Sequence, residues 1–303
     1  MMDFLLAYEN VIALVCINAI LGIGVYLMLS VNRFSLATGG LVAVGAYVSV
    51  LVSLHTALPF PAALAAGTLA GALMALLLGA PVLRLEGDYF ALATLAFTEV
   101  MRVIAFNWDT VTGGALGLDG IPLATTLPLL AATVAALVAV IVIARRGRTG
   151  RVLEATRLDD MPAQALGIDV ARVRLAVFVF SGAVCGLGGA LLGHLNGFIG
   201  PNDFGLQRSL DAIAYAVLGG LGHVSGALAG ATIFTALPEA LRFSAQAREI
   251  VMATILLLAV VFLPRGMLSI GQPLRGALGR ISGSTRRAAP AGETAPINTE
   301  VRP

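Results

Sequence analysis

From Asn10 to Ser30 the chain reads NVIALVCINAILGIGVYLMLS, 21 positions without a charged side chain. A helix needs about 20 such residues to cross roughly 30 Å of hydrocarbon. Hydrocarbon offers no water to unpaired peptide groups, so a spanning segment must close its hydrogen bonds within a helix or within a sealed barrel. Comparable runs recur along the sequence, and none shows the alternating dyads of a barrel strand. Of 303 residues, 58% are hydrophobic and 12% charged, where a soluble domain has about 25% charged, and mean hydropathy is +0.92. The expected fold class is all-α, a polytopic transmembrane helical bundle. Asp3 and Glu9 stand where a secretory leader would carry positive charge, so the first run reads as a retained span.

Apolar windows place helices near 9–30, 35–55, 60–82, 88–106, 126–144, 173–193, 209–240 and 247–263. Counting broken elements, about eight to ten membrane segments are expected. Residues 1–264 form the membrane domain on this reading, and 265–303, mixed in Arg, Ser, Gly, Pro and Thr without apolar periodicity, read as a disordered cytoplasmic tail. All 19 basic residues are arginine. Without a lysine the chain cannot form a P-loop, so any ATP belongs to another subunit. The net charge of +2 gives no reason to expect nucleic acid, and Cys16 and Cys185 read as buried small hydrophobes.

Arginine also sets orientation. Arg145, Arg146, Arg148, Arg151 and Arg157 crowd one loop, and Arg265, Arg275, Arg280, Arg286 and Arg287 crowd the tail, so both are expected in the cytoplasm. Three apolar segments separate them, whereas two points on one side are joined by an even number of crossings; one segment must be broken or re-entrant. The stretch 209–240, interrupted by Gly219, Gly220, Gly222 and Gly226, is the candidate. It reads either as two half-helices lining a pathway or as two short spans with a tight turn at one surface. Gly182, Gly186, Gly189 and Gly193 recur at a spacing that lets helix backbones approach closely.

Ionisable groups inside membrane helices persist only with a partner or a purpose. Glu99 and Arg102, three apart, share a helix face and can pair. Alternatively they face a polar pathway or lock two subunits together. Asp88 falls at the entrance of the same helix, where a carboxylate complements the dipole, and Asp211 reads as a cap near the start of the first half-helix. His55, His194 and His223 are not clustered with other ligands, so no metal, catalytic or cofactor site is expected. The loop of about 145–171 contains an amphipathic stretch. Val152, Leu153, Met161 and Leu166 stand among Glu154, Asp159, Asp160 and Gln164, with Gly167 as a helix stop. It reads as a helix that docks a soluble partner or lies on lipid headgroups.

Four blocks carry a family resemblance: LRLEGDYFALATLAFTEVMR, NWDTVTGGALGLDGIP, QALGIDVARVRLAVFVFSG and GFIGPNDFGLQRSLDAIAYAVLGGLGHVSGALAGATIFTALPEALR. In this order, and over most of the chain to about Pro264, they resemble the LivM branch of the branched-chain amino acid ABC transporter permeases. The resemblance implies a non-enzymatic subunit of the bacterial inner membrane that imports branched-chain amino acids, or related small solutes such as amides or urea. It implies a homologous permease as heterodimer partner, two cytosolic ATPase subunits holding ATP and Mg, and a periplasmic solute-binding protein. It also makes the stretch from about Arg151 to Ala171 the ATPase-coupling helix, carried by Val152, Leu153, Glu154, Asp159, Asp160, Gln164, Leu166 and Gly167. Gly167 matches the glycine of the importers' E-A-A-x-x-x-G pattern, but Met161, Pro162 and Ala163 replace its first three residues, so the helix as a whole is implicated rather than one acidic contact. The alternative from another class is a proton-coupled secondary transporter using Glu99, Asp88 or Asp211.

Overall fold

Among the described residues, the apolar windows fold as helices. A computed structural model describes residues 2–56, 58–220 and 223–240. The helices are α1 (Met2–Leu29), α2 (Thr38–His55), α3 (Phe60–Val82), α4 (Asp88–Asn107), α5 (Asp109–Thr112), α6 (Leu127–Arg146), α7 (Arg148–Leu158), α8 (Asp160–Ala165), α9 (Val170–Asn196), α10 (Leu206–Gly219) and α11 (Val224–Ala240). Single 3-10 turns occupy Gly114–Leu116 and Pro201–Phe204, and an isolated antiparallel bridge joins Leu118 to Ile199. No strand is present among the described residues.

Six of these helices are long and apolar enough to cross a membrane: α1 from Glu9 onward, α2, α3, α4, α6 and α9. The pair α10 and α11, bent by 118°, makes a seventh if counted as one broken span. That is fewer than the eight to ten segments expected; the window at 247–263 and the tail at 265–303 lie outside the described residues. The break anticipated in 209–240 is present, with Gly220 at φ +95° ending α10, while Gly222 lies outside the described residues.

The centre of the bundle consists of α1, α2 and α9, which are mostly buried, whereas α3, α4 and α6 expose most of their surface. What lets the helices meet closely is the absence of side chains where they cross. A Cβ on Gly186 of α9 would stand 2.7 Å from the Gly67 carbonyl oxygen and 3.0 Å from the Gly71 Cα, both on α3; Gly45 of α2 abuts the Gly186 backbone as well. Three helices therefore touch backbone to backbone, as the small-residue spacing predicts.

Between α1 and α2 the chain does not simply turn. Asn32 at φ +56° closes α1 in a left-handed cap, with Arg33 N–H donating to the Met28 carbonyl and Asn32 N–H to that of Leu29. Residues 33–37 then have no helical structure, and α2 starts only at Thr38 rather than at residue 35. Non-helical backbone inside a membrane protein needs side chains to complete its hydrogen bonds. Here Leu36 N–H donates to Thr94 Oγ1 (2.9 Å), and the Leu36 carbonyl accepts from Thr98 Oγ1 (2.7 Å) and Ser209 Oγ (2.8 Å). Gly39 N–H completes the set by donating to Ser209 Oγ at 2.9 Å. On α9, buried His194 joins distant elements: Nδ1 lies 3.0 Å from the Pro122 carbonyl, and Nε2 3.2 Å from both Ser49 and Ser53 hydroxyls.

Candidate functional site

Two places combine polar chemistry with unusual backbone. The first lies where α4 meets the segment entering α10. After α9 ends at Asn196, the chain turns back into the protein: Ile199 pairs with Leu118, Phe204 packs edge-on against Tyr47 of α2, and α10 starts at Leu206. The free N–H of Leu206 donates to Glu99 Oε1 at 3.0 Å, so α4 supplies the carboxylate that caps α10. Glu99 Oε2 accepts from Arg102 Nε at 2.8 Å, and Arg102 Nη1 reaches Asn202 Oδ1 at 3.5 Å. Glu99 and Arg102 thus do pair on one helix face, and the pair also holds a second element. Asp211 sits on the second turn of α10, where its Oδ1 accepts from Gln207 Nε2 at 3.0 Å. It lies further inside α10 than a cap would, because the helix begins three residues earlier than the apolar window suggests. Asp88 is exposed in the first turn of α4, far along the helix from Glu99.

The second place is the polar loop between α6 and α9. Sequence reading expects one amphipathic helix; the structure has two, broken at Asp159, whose Oδ1 accepts from Met161 N–H at 3.0 Å and so caps α8. Gly167 closes α8. At φ +80° it donates to the Gln164 carbonyl while Ile168 N–H donates to that of Ala163, the double bond pattern of a Schellman cap. Asp160 is turned inward and grips Arg174 of α9 through two hydrogen bonds of 2.8 Å. Val152 and Leu153 are half-buried and Glu154 and Gln164 exposed. Leu158, Met161 and Leu166 have 78%, 77% and 78% of their surface exposed, which is unusual for three neighbouring large apolar side chains.

The two places are linked by the arginine-rich end of the bundle. Phe178 of α9, one turn beyond Arg174, meets Phe90 of α4 edge to face with centroids 6.3 Å apart, and the Arg33 guanidinium lies 5.8 Å above the Phe90 ring. Arg33 Nη1 also donates to the Leu85 carbonyl at 3.0 Å. Burial, followed by the like charge of Arg174, pushes Arg33 below its ordinary pKa, while Asp160 and Glu86 act in the opposite sense.

The described residues thus combine six long apolar helices, an arginine-rich loop, a sharply bent helix pair and a polar junction between helices. The family model described as branched-chain amino acid transport system / permease component matches residues 7–263. The chain belongs to this family. It is 28% identical to the high-affinity branched-chain amino acid transport system permease protein LivM of Salmonella typhimurium, over 87% of this chain and 70% of that protein. It is 29% identical to LivM of Escherichia coli K12 over the same shares. LivH of Escherichia coli K12, a second permease protein of that system by name, is 31% identical over 59% of each chain.

In this permease-family chain several site residues escape sequence reading. Asn202 and the Leu206 amide complete the Glu99–Arg102 junction, and Thr94, Thr98 and Ser209 hold the 33–37 segment. The available signal was hydroxyl residues at four-residue spacing on an apolar helix, 94 and 98. Leu158 could have been found as an apolar residue stranded between Arg157 and Asp159.

Proposed function

We propose that the chain is a membrane permease subunit of an ATP-driven importer for branched-chain amino acids. Family membership supports the class, and the names of the LivM and LivH relatives support the substrate. A homologous permease completes the path, two cytosolic ATPases hold ATP and Mg, and a periplasmic binding protein delivers substrate. The arginine-rich end lies in the cytoplasm of a bacterial inner membrane, as does the C-terminal tail. The finer count of eight to ten membrane segments belongs to the same proposal, with α10 and α11 counted separately.

The observation that carries the coupling role is the exposed apolar triad. Leu158, Met161 and Leu166 project from two short helices bound to the bundle through Asp160 and Arg174. An apolar surface beside many arginines is suited to a cleft of a soluble partner, and the ion pair carries that partner's movement into α9. The proton-coupled alternative gains nothing from Glu99, whose two oxygens are engaged by Arg102 and the start of α10.

The test is the double substitution Leu158→Asp with Met161→Asp. Membrane insertion stays normal, while co-purification of the ATPase subunits falls about tenfold or more, since charging two desolvated anchors costs well over 1.4 kcal/mol. ATPases retained at the unmodified level would refute docking at this surface.

A further inference from the structure

On the outer surface of a membrane protein, side chains that meet lipid are apolar. Helix α3 obeys this: Phe60–Val82 contains no charged residue, and Leu69, Leu73, Leu76 and Leu77 are its exposed large side chains. The α4–α10 junction does not. Glu99 and Arg102 each leave 36% of their side chains exposed, Asn202 and Gln207 are exposed, and Arg208 and Asp211 are half-buried. Two hydrogen-bonded groups make up the strip, Glu99 with Arg102, Asn202 and the Leu206 amide, and Gln207 with Asp211, and they adjoin where Leu206 precedes Gln207 in the chain.

Depth makes this costly in lipid. Glu99 is eight residues from Asn107, so the Leu206 amide bound to it lies about 12 Å inside that end of α4 at 1.5 Å per residue. An outward-facing polar strip at such depth belongs against water. Its charges are of both signs, with two guanidiniums and two carboxylates within one run of side chains, which matches a solute carrying an ammonium and a carboxylate together. The internal pairings already satisfy much of this charge, so a passing zwitterion meets replaceable hydrogen bonds rather than a deep well, as passage requires.

We propose that this strip is the wall that the subunit contributes to the translocation path, facing water and the zwitterionic amino acid. The assignment rests on the importer reading above and specifies where in this chain the substrate passes.

The test is thiol labelling in the complete transporter in lipid vesicles. Asn202→Cys and Gln207→Cys are exposed to a membrane-impermeant, charged methanethiosulfonate, with Leu73→Cys on α3 as the lipid-facing comparison and the unmodified chain giving the background of Cys16 and Cys185. Both strip positions should label about tenfold or more faster than position 73, because only a thiolate in contact with water reacts. Labelling as slow as at Leu73→Cys in the complex, but fast in the isolated subunit, overturns the proposal in favour of a buried seam with the partner permease. Slow labelling in both overturns it outright. ATP-driven leucine uptake by the unmodified complex is measured in the same vesicles; its absence counts against the importer reading, whereas its presence with an unlabelled strip counts against the path assignment alone.

Discussion

Asp160 and Arg174 show how one ion pair acquires mechanical meaning. Arg174 is buried, with only 10% of its side chain exposed, while Asp160 keeps 39%. Removing Asp160 leaves the guanidinium without its partner in a place where water reaches it poorly. For fully buried pairs that loss is larger, but with Asp160 partly exposed Asp160→Ala should cost about 1–3 kcal/mol. Thermal unfolding in detergent checks this, and Asp160→Ala combined with Arg174→Met should recover part of the loss, since the stranded charge is gone. Sequence reading placed Asp160 among residues of the coupling loop; the structure gives it an inward bond. Nothing in its neighbourhood announces that, because the partner lies beyond Gly167, on another helix. Glu99 and Arg102 were legible as a pair from their spacing alone, yet the amide that Glu99 holds in place, 107 residues away, was not.

At the scale of the elements, long apolar runs were easy to read because a membrane helix closes its own hydrogen bonds and needs no distant partner. Residues 35–37 were read as the start of α2 for the complementary reason. They are apolar enough to be helix, and the side chains that hold them outside the helix are Thr94, Thr98 and Ser209, as many as 173 residues away. The break of 209–240 was visible in its glycines, whereas the inward return of 197–205 was not, since its determinant is contact with α2 and α4. Close helix packing yields a sharp prediction. Gly186→Ala places a methyl 2.7 Å from the Gly67 carbonyl oxygen, against backbone that cannot swing aside. The expected loss is about 1–3 kcal/mol, read as a lower unfolding temperature of the purified subunit.

Across the whole molecule, Asp160 and Arg174, then Phe178 and Phe90, then Arg33 form a contact route from α8 to the non-helical segment 33–37. If that route transmits the ATPase stroke, Phe178→Leu, which stays apolar but loses the aromatic edge contact worth about 0.5–1.5 kcal/mol, should leave ATPase association intact while raising the ATP hydrolysed per leucine imported. An unchanged ratio places the transmission elsewhere. The carbonyl oxygen of Leu36 adds a constraint on how such a stroke can be expressed. It is a single hinge pin shared by a hydroxyl from α4 and a hydroxyl from α10. Were either helix to slide alone, one hydroxyl and one carbonyl lone pair would lose their partner, so α4 and α10 are tied to each other through this oxygen.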